Sequence, residues 1–225
     1  MLPIAAACGG TRQEPIEGLR PAPHAKSPAP LESAREEAAP AAPEGFVPAL
    51  HRAFPEIARR IPRVSLQTAT TPVVSMSALA RAVGLEALWV KRDDLISSSY
   101  GGGKVRKLET LLAAAQVAGA KRLVTFGSVG SHHALATAVH GRALGFEVSL
   151  LLLPEPRSDE VKATLGRALA TGAEASLVGS MRSAEARARD LSEKGDSFVI
   201  PVGGSTALAN IGFVAAGFEL AEQIA

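Results

Sequence analysis

The sequence predicts an α/β protein built on a parallel sheet, and three observations carry that expectation. Short β-rich runs alternate with stretches of 3.6-residue periodicity. The central periodic stretches end at or near Gly119, Gly145, Gly172 and Gly195, as left-handed C-caps do. The run Val148-Ser-Leu-Leu-Leu-Leu153 is apolar on both faces, the pattern of an interior parallel strand. Such alternation places helices on both faces of the sheet.

Taken in order, the chain opens with a stretch unlike the rest. Residues 1–45 are rich in Pro, Ala and Glu and hold more than half of the prolines. Such a leader cannot bury enough apolar surface to offset its ordering entropy and is expected to be disordered. Its first residues, Met1-Leu-Pro-Ile-Ala-Ala-Ala-Cys8, also resemble the tail of a bacterial lipoprotein signal without a positive n-region. Anchoring through Cys8 in the periplasm is thus the alternative to a cytoplasmic protein. Strands are expected at Ala87–Lys91, Arg122–Phe126, Glu147–Leu153, Ala175–Val178 and Phe198–Val202. Helices are expected at Met76–Val83, Val105–Ala118, His132–Leu144, Asp159–Ala170, Ser183–Glu193 and Ala207–Ile224.

Composition narrows the function classes. Of 225 residues, 47% are hydrophobic and 20% charged, and the formal net charge is only +2, with no Lys/Arg block to suggest a nucleic-acid partner. Cys8 is the single cysteine, which excludes a disulfide framework or a thiolate metal site. After the leader no apolar run is long enough to span a membrane.

Ligand sites in such sheets lie beyond the carboxyl ends of the strands, so the strand-to-helix turns carry the functional signal. The first reads Lys91-Arg-Asp-Asp-Leu-Ile-Ser-Ser-Ser-Tyr-Gly-Gly-Gly-Lys-Val-Arg-Lys-Leu-Glu109. Gly101, Gly102 and Gly103 strip side chains from the backbone just before Lys104, so a bulky group can approach. Lys104 at a helix start stands at the positive end of the dipole, which opposes a second positive charge and favours an amine able to attack a carbonyl. A tight turn carrying an ordinary solvated lysine fits the same pattern. Val105 stands where a P-loop needs Ser or Thr, which argues against nucleotide hydrolysis. Arg106 and Lys107 read as surface charges or anion contacts.

The second turn, Val124-Thr-Phe-Gly-Ser-Val-Gly-Ser-His-His-Ala134, leads a strand into a helix whose first N–H groups suit an anion, with the Ser131 hydroxyl beside them. His132 and His133 are adjacent on that helix and so point in different directions. The third, Pro201-Val-Gly-Gly-Ser-Thr206, has by pattern the makings of a phosphate cup.

The segment Lys91–Leu112 resembles the cofactor-lysine signature of the 1-aminocyclopropane-1-carboxylate deaminase and D-cysteine desulfhydrase family, within the tryptophan synthase β-like pyridoxal-phosphate enzymes. That signature is a Lys-Arg-(Asp/Glu)-Asp strand end followed by Gly-Gly-Asn-Lys-x-Arg-Lys-Leu-Glu. The resemblance runs from about Arg63 to Ala225 and is most specific around Lys104 and Ser131. It implies pyridoxal 5'-phosphate bound to Lys104, with Gly102, Gly103 and His132 also at the cofactor. It implies a substrate amino acid met by Ser131, His132 and His133, with Lys104 and Ser131 catalytic. Gly103 and His132 each replace an asparagine of the family. The family's phosphate loop would follow Ala225, so the resemblance also implies a shortened chain, with residues 46–104 and 203–225 in the large domain and 105–202 in the small one. A homodimer is implied for the complete enzyme. The expected activity is deamination or β-elimination of a small amino acid to a 2-oxo acid and ammonia. Two rivals are a truncated, non-catalytic relative and a nucleotide-binding α/β protein.

Overall fold

The computed structural model describes residues 46–193 and 195–224. The expected leader and Cys8 lie outside the described residues. Two short helices, α1 (Ala49–Ala53) and α2 (Pro55–Arg60), come first, the second with proline at its first position, where the missing N–H costs nothing. Strand β1 (Val73–Ser75), helix α3 (Ser77–Ala82) and strand β2 (Trp89–Lys91) follow. After a 3-10 turn at Asp93–Leu95 come α4 (Lys104–Val117), β3 (Arg122–Ser128), α5 (His132–Ala143) and β4 (Glu147–Leu153). Then come α6 (Asp159–Ala170), β5 (Glu174–Leu177), α7 (Met181–Ser192), β6 (Ser197–Ile200) and α8 (Ala207–Ile224).

Four of the strands form one parallel sheet in the order β5-β4-β3-β6. The expected parallel sheet is therefore present, with β4 as an interior strand. The first β-rich run departs from it: β2 pairs antiparallel with β1, matching Val74 to Val90, in a separate two-stranded ribbon. Periodicity cannot foresee this, because a three-residue run carries no information about its partner.

Alternation along β3 and β4 builds two cores from one sheet. Leu123, Val148, Leu150 and Leu152 face α4 and α5, whereas Val124, Phe126 and Leu151 face Ala184 and Ala188 of α7. Helix α5 lies close on the sheet at Gly141, where a Cβ would come 2.7 Å from Leu123 Cδ1. The helix ends are set locally. Ser131, Ser158 and Ser180 each accept a hydrogen bond from the first turn of the helix they precede, and Ser180 forms a reciprocal capping box with Ser183. Gly119, Gly145, Gly172 and Gly195 all take positive φ after their helices, as expected. Among the described residues no helix is long and apolar enough to cross a membrane, and no His, Cys, Asp or Glu cluster could hold a metal ion.

Candidate active site

The lysine turn is shaped by its first two glycines. A Cβ on Gly101 would lie 1.8 Å from the Asp94 carbonyl oxygen. Gly102 takes φ +102° while its N–H donates to the Asp93 carbonyl at 2.7 Å. Gly103 differs: a Cβ there would meet the Phe213 ring at an ordinary 3.4 Å and Asp93 Oδ2 at 3.9 Å. The third glycine is thus not demanded by the backbone, and the asparagine of the family pattern could stand in its place. Lys104 then begins α4, half-buried.

The two basic residues after it are not surface charges, contrary to expectation. Arg106 is 2% exposed, and its guanidinium donates to Asp93 Oδ2 at 2.7 Å, to Asp93 Oδ1 at 2.6 Å and to Glu219 Oε2 at 3.0 Å. Glu219, from α8, also accepts from Lys91 Nζ at 2.8 Å and from the Thr71 N–H at 2.6 Å. Burial opposes the Arg106 charge, but its bonds to Asp93 and Glu219 outweigh this and raise its pKa. The reason for the misreading is helical geometry: residues 105–113 of α4 are all buried between α5 and α8, so a charge there is kept only if fully paired. Lys107 is buried too and donates to the Gly203 carbonyl at 3.2 Å and to Ser205 Oγ at 2.8 Å. Burial, aided by the charge of Lys104, lowers its pKa.

The serine turn separates the two histidines as their adjacency predicts. Ser131 caps α5, its Oγ accepting from the Ala134 N–H at 3.3 Å, and the Gly130 N–H is held by the Glu155 carboxylate. His132 is exposed and points to Tyr100, whose hydroxyl lies 2.7 Å from Nδ1. His133 turns inward and is 3% exposed. The Thr125 hydroxyl donates to the Ile200 carbonyl at 3.0 Å, so the 3.2 Å contact with His133 must be Nε2–H donating to Thr125. That leaves Nδ1 as a buried lone pair with no partner among the described residues. Burial first, then the charges of Lys104 and Lys107, push His133 down to about 4, so the ring is neutral at physiological pH.

The glycine-serine turn brings these parts together. Gly203 and Gly204 have φ of +64° and +62°. A Cβ on Gly203 would stand 3.6 Å from Lys104 Nζ, and one on Gly204 would stand 3.6 Å from His133 Nδ1 and 3.0 Å from its Cε1. The bare turn thus faces an amine and an unfilled acceptor at once, while Lys107 fastens it from below. The residues present fit a flat aldehyde with hydrogen-bonding substituents. Sequence reasoning did not single out Thr71, Asp93, Tyr100 or Glu219 as parts of the site. The only available signals were the Thr71-Pro72 pair and the acidic strand end after Lys91.

Comparison with known proteins decides the family. A family model described as pyridoxal-phosphate dependent enzyme matches residues 64–225. The chain belongs to the pyridoxal-phosphate dependent enzymes. It is 39% identical over 171 residues to nocardicin C-9' epimerase of Nocardia uniformis subsp. tsuyamanensis, covering 72% of this chain and 51% of that protein. It is 35% identical over 173 residues to D-cysteine desulfhydrase of Serratia proteamaculans, covering 73% and 52%. The solved structure of an ACC deaminase homologue superposes with a TM-score of 0.67 at 31% identity, covering 79% of this chain and 55% of that one. This pyridoxal-phosphate family member thus spans about half the length of the curated relatives it matches. The family relationship bears out the expected cofactor and the expected deaminase and desulfhydrase kinship.

Proposed function

We propose that the protein acts on a small amino acid of the D-cysteine or 1-aminocyclopropane-1-carboxylate kind, as a deaminase or lyase releasing a 2-oxo acid and ammonia. The observation that carries this reading is the convergence of Lys104 Nζ and the free His133 Nδ1 on the bare Gly203–Gly204 turn. Pyridoxal phosphate, when bound, supplies an electron sink for the carbon next to the amino group. Lys104 holds it and Gly102 and Gly103 lie alongside, while His132, turned to Tyr100, acts from outside. Lys104 Nζ also takes and returns the substrate proton. Ser131, with the N–H groups that open α5, binds and orients the carboxylate. His133, held neutral and fixed through Thr125, offers its lone pair to a donor in the site.

Saturating pyridoxal phosphate, borohydride reduction and peptide mapping test the assignment. Label is expected on Lys104 well above the exposed Lys121 and Lys162, to be lost in Lys104→Ala and kept on Lys104 in Lys107→Ala. Equal labelling of all three lysines would overturn it. Delivery of a proton to the opposite face of the same carbon would give epimerisation, the second reading, favoured by the relative named as an epimerase. Ammonia release against inversion of a D-amino acid separates the two.

A further inference from the structure

We propose that Tyr100 is a positioning residue that straps the lysine turn to helix α5 through His132, so that Lys104 and Ser131 keep a fixed relation. This rests on the functional reading above. Tyr100 stands four residues before Lys104 and is the only tyrosine of the chain. Its hydroxyl lies 2.7 Å from His132 Nδ1, the residue directly after Ser131. Its carbonyl accepts from His140 Nε2 at 2.9 Å. His132 and His140 are eight residues apart on α5, about 12 Å along the axis, so one residue of the lysine turn is gripped at both its ends by the same helix. The ring between these grips packs against the core on one side and lies 5.2 Å from the Arg167 guanidinium of α6. His132 is held in turn: Nδ1 meets the phenol, and Nε2 lies 3.6 Å from the Glu160 carboxylate.

The strap matters because the two turns come from different parts of the chain. The lysine turn follows the β1–β2 ribbon, whereas Ser131 and His132 follow β3 of the parallel sheet. No strand pairing joins the ribbon to that sheet among the described residues, so the spacing between Lys104 and Ser131 is set by the packing of α4 on α5 and by side-chain contacts between the two turns. His132 stands where the family pattern has asparagine, a side chain too short to reach out in the same way.

Tyr100→Phe keeps the ring, its packing and the carbonyl, and removes only the hydroxyl. Ring nitrogen NMR of histidine-labelled, cofactor-free protein reads the strap directly: the His132 resonance is expected to move in Tyr100→Phe while that of His140 stays. An unmoved His132 resonance overturns the strap whether or not the cofactor assignment holds. Where the wild type captures pyridoxal phosphate on Lys104, Tyr100→Phe is expected to raise the half-saturating concentration by roughly fivefold, the size of one lost hydrogen bond. In a His132→Asn background the same substitution is expected to add nothing. Independent effects that multiply in the double variant would sink the proposal. Absence of capture on Lys104 in the wild type would instead sink the functional reading and leave the NMR result to decide the strap.

Discussion

At the scale of residues, two buried groups make stability depend on pH in separate windows. His133 has a folded pKa of about 4 against 6.5 for a free imidazole, so the unfolded chain binds the extra proton between those values. Stability attached to His133 is therefore intact above pH 6.5 and falls as pH drops towards 4, by up to roughly 3 kcal/mol. His133→Gln should flatten that part of a denaturant midpoint against pH profile; an unchanged slope between pH 6.5 and 4 would show that the ring is not buried neutral. Glu219 works lower on the scale. Burial raises its carboxyl pKa, but bonds from Lys91, Arg106 and Gln67 outweigh this and hold it below the ordinary 4.5. Its contribution is present above pH 4.5 and lost as pH falls through the lower folded value. Glu219→Gln leaves Arg106 paired with Asp93 alone and takes the carboxylate from Lys91, an effect of about 1.5–3 kcal/mol at neutral pH, and should flatten the acid limb below pH 4.5. Both residues were visible in the sequence as types, but not as buried, because burial of a polar side chain is decided by what packs over it.

Among elements, the crossing of α4 and α8 offers the sharpest test. A Cβ on Gly212 would fall 2.0 Å from the Arg106 carbonyl oxygen, so the two helices meet backbone to backbone there. Gly217, five residues on in the same helix, has nothing within 4 Å of such a Cβ. Gly217→Ala should therefore stabilise by about 0.5–1 kcal/mol through helix propensity alone. Gly212→Ala should destabilise by about 1–3 kcal/mol or more, because the helices must separate and disturb the Arg106 pairs. Thermal or urea melts giving the same sign for both would show that the close crossing is wrong. Helix periodicity located α8 and its bounds, as it did α6. It could not tell the two glycines apart, since only a neighbouring helix distinguishes them.

For the molecule as a whole, one sheet serves two cores. Leu150 and Leu151 are neighbours on β4, each about 1% exposed, yet they belong to opposite faces. Truncation of either to alanine should cost about 2–5 kcal/mol and shift the same single unfolding transition, because both faces hang on the same strand hydrogen bonds. Two separate transitions in either variant would mean that the faces fold independently. The sequence by itself determined the α/β class, the positions of most helices and strands, the glycine caps, and the lysine and serine turns, because these depend on period and on local backbone preference. Tertiary structure alone decided that β2 leaves the parallel sheet, that Arg106 and Lys107 are internal, and that His133 rather than His132 faces Lys104 across the Gly203–Gly204 turn. Those outcomes depend on which distant segments come to share a boundary, and a linear pattern of residue types does not encode the distance between segments that meet only in space.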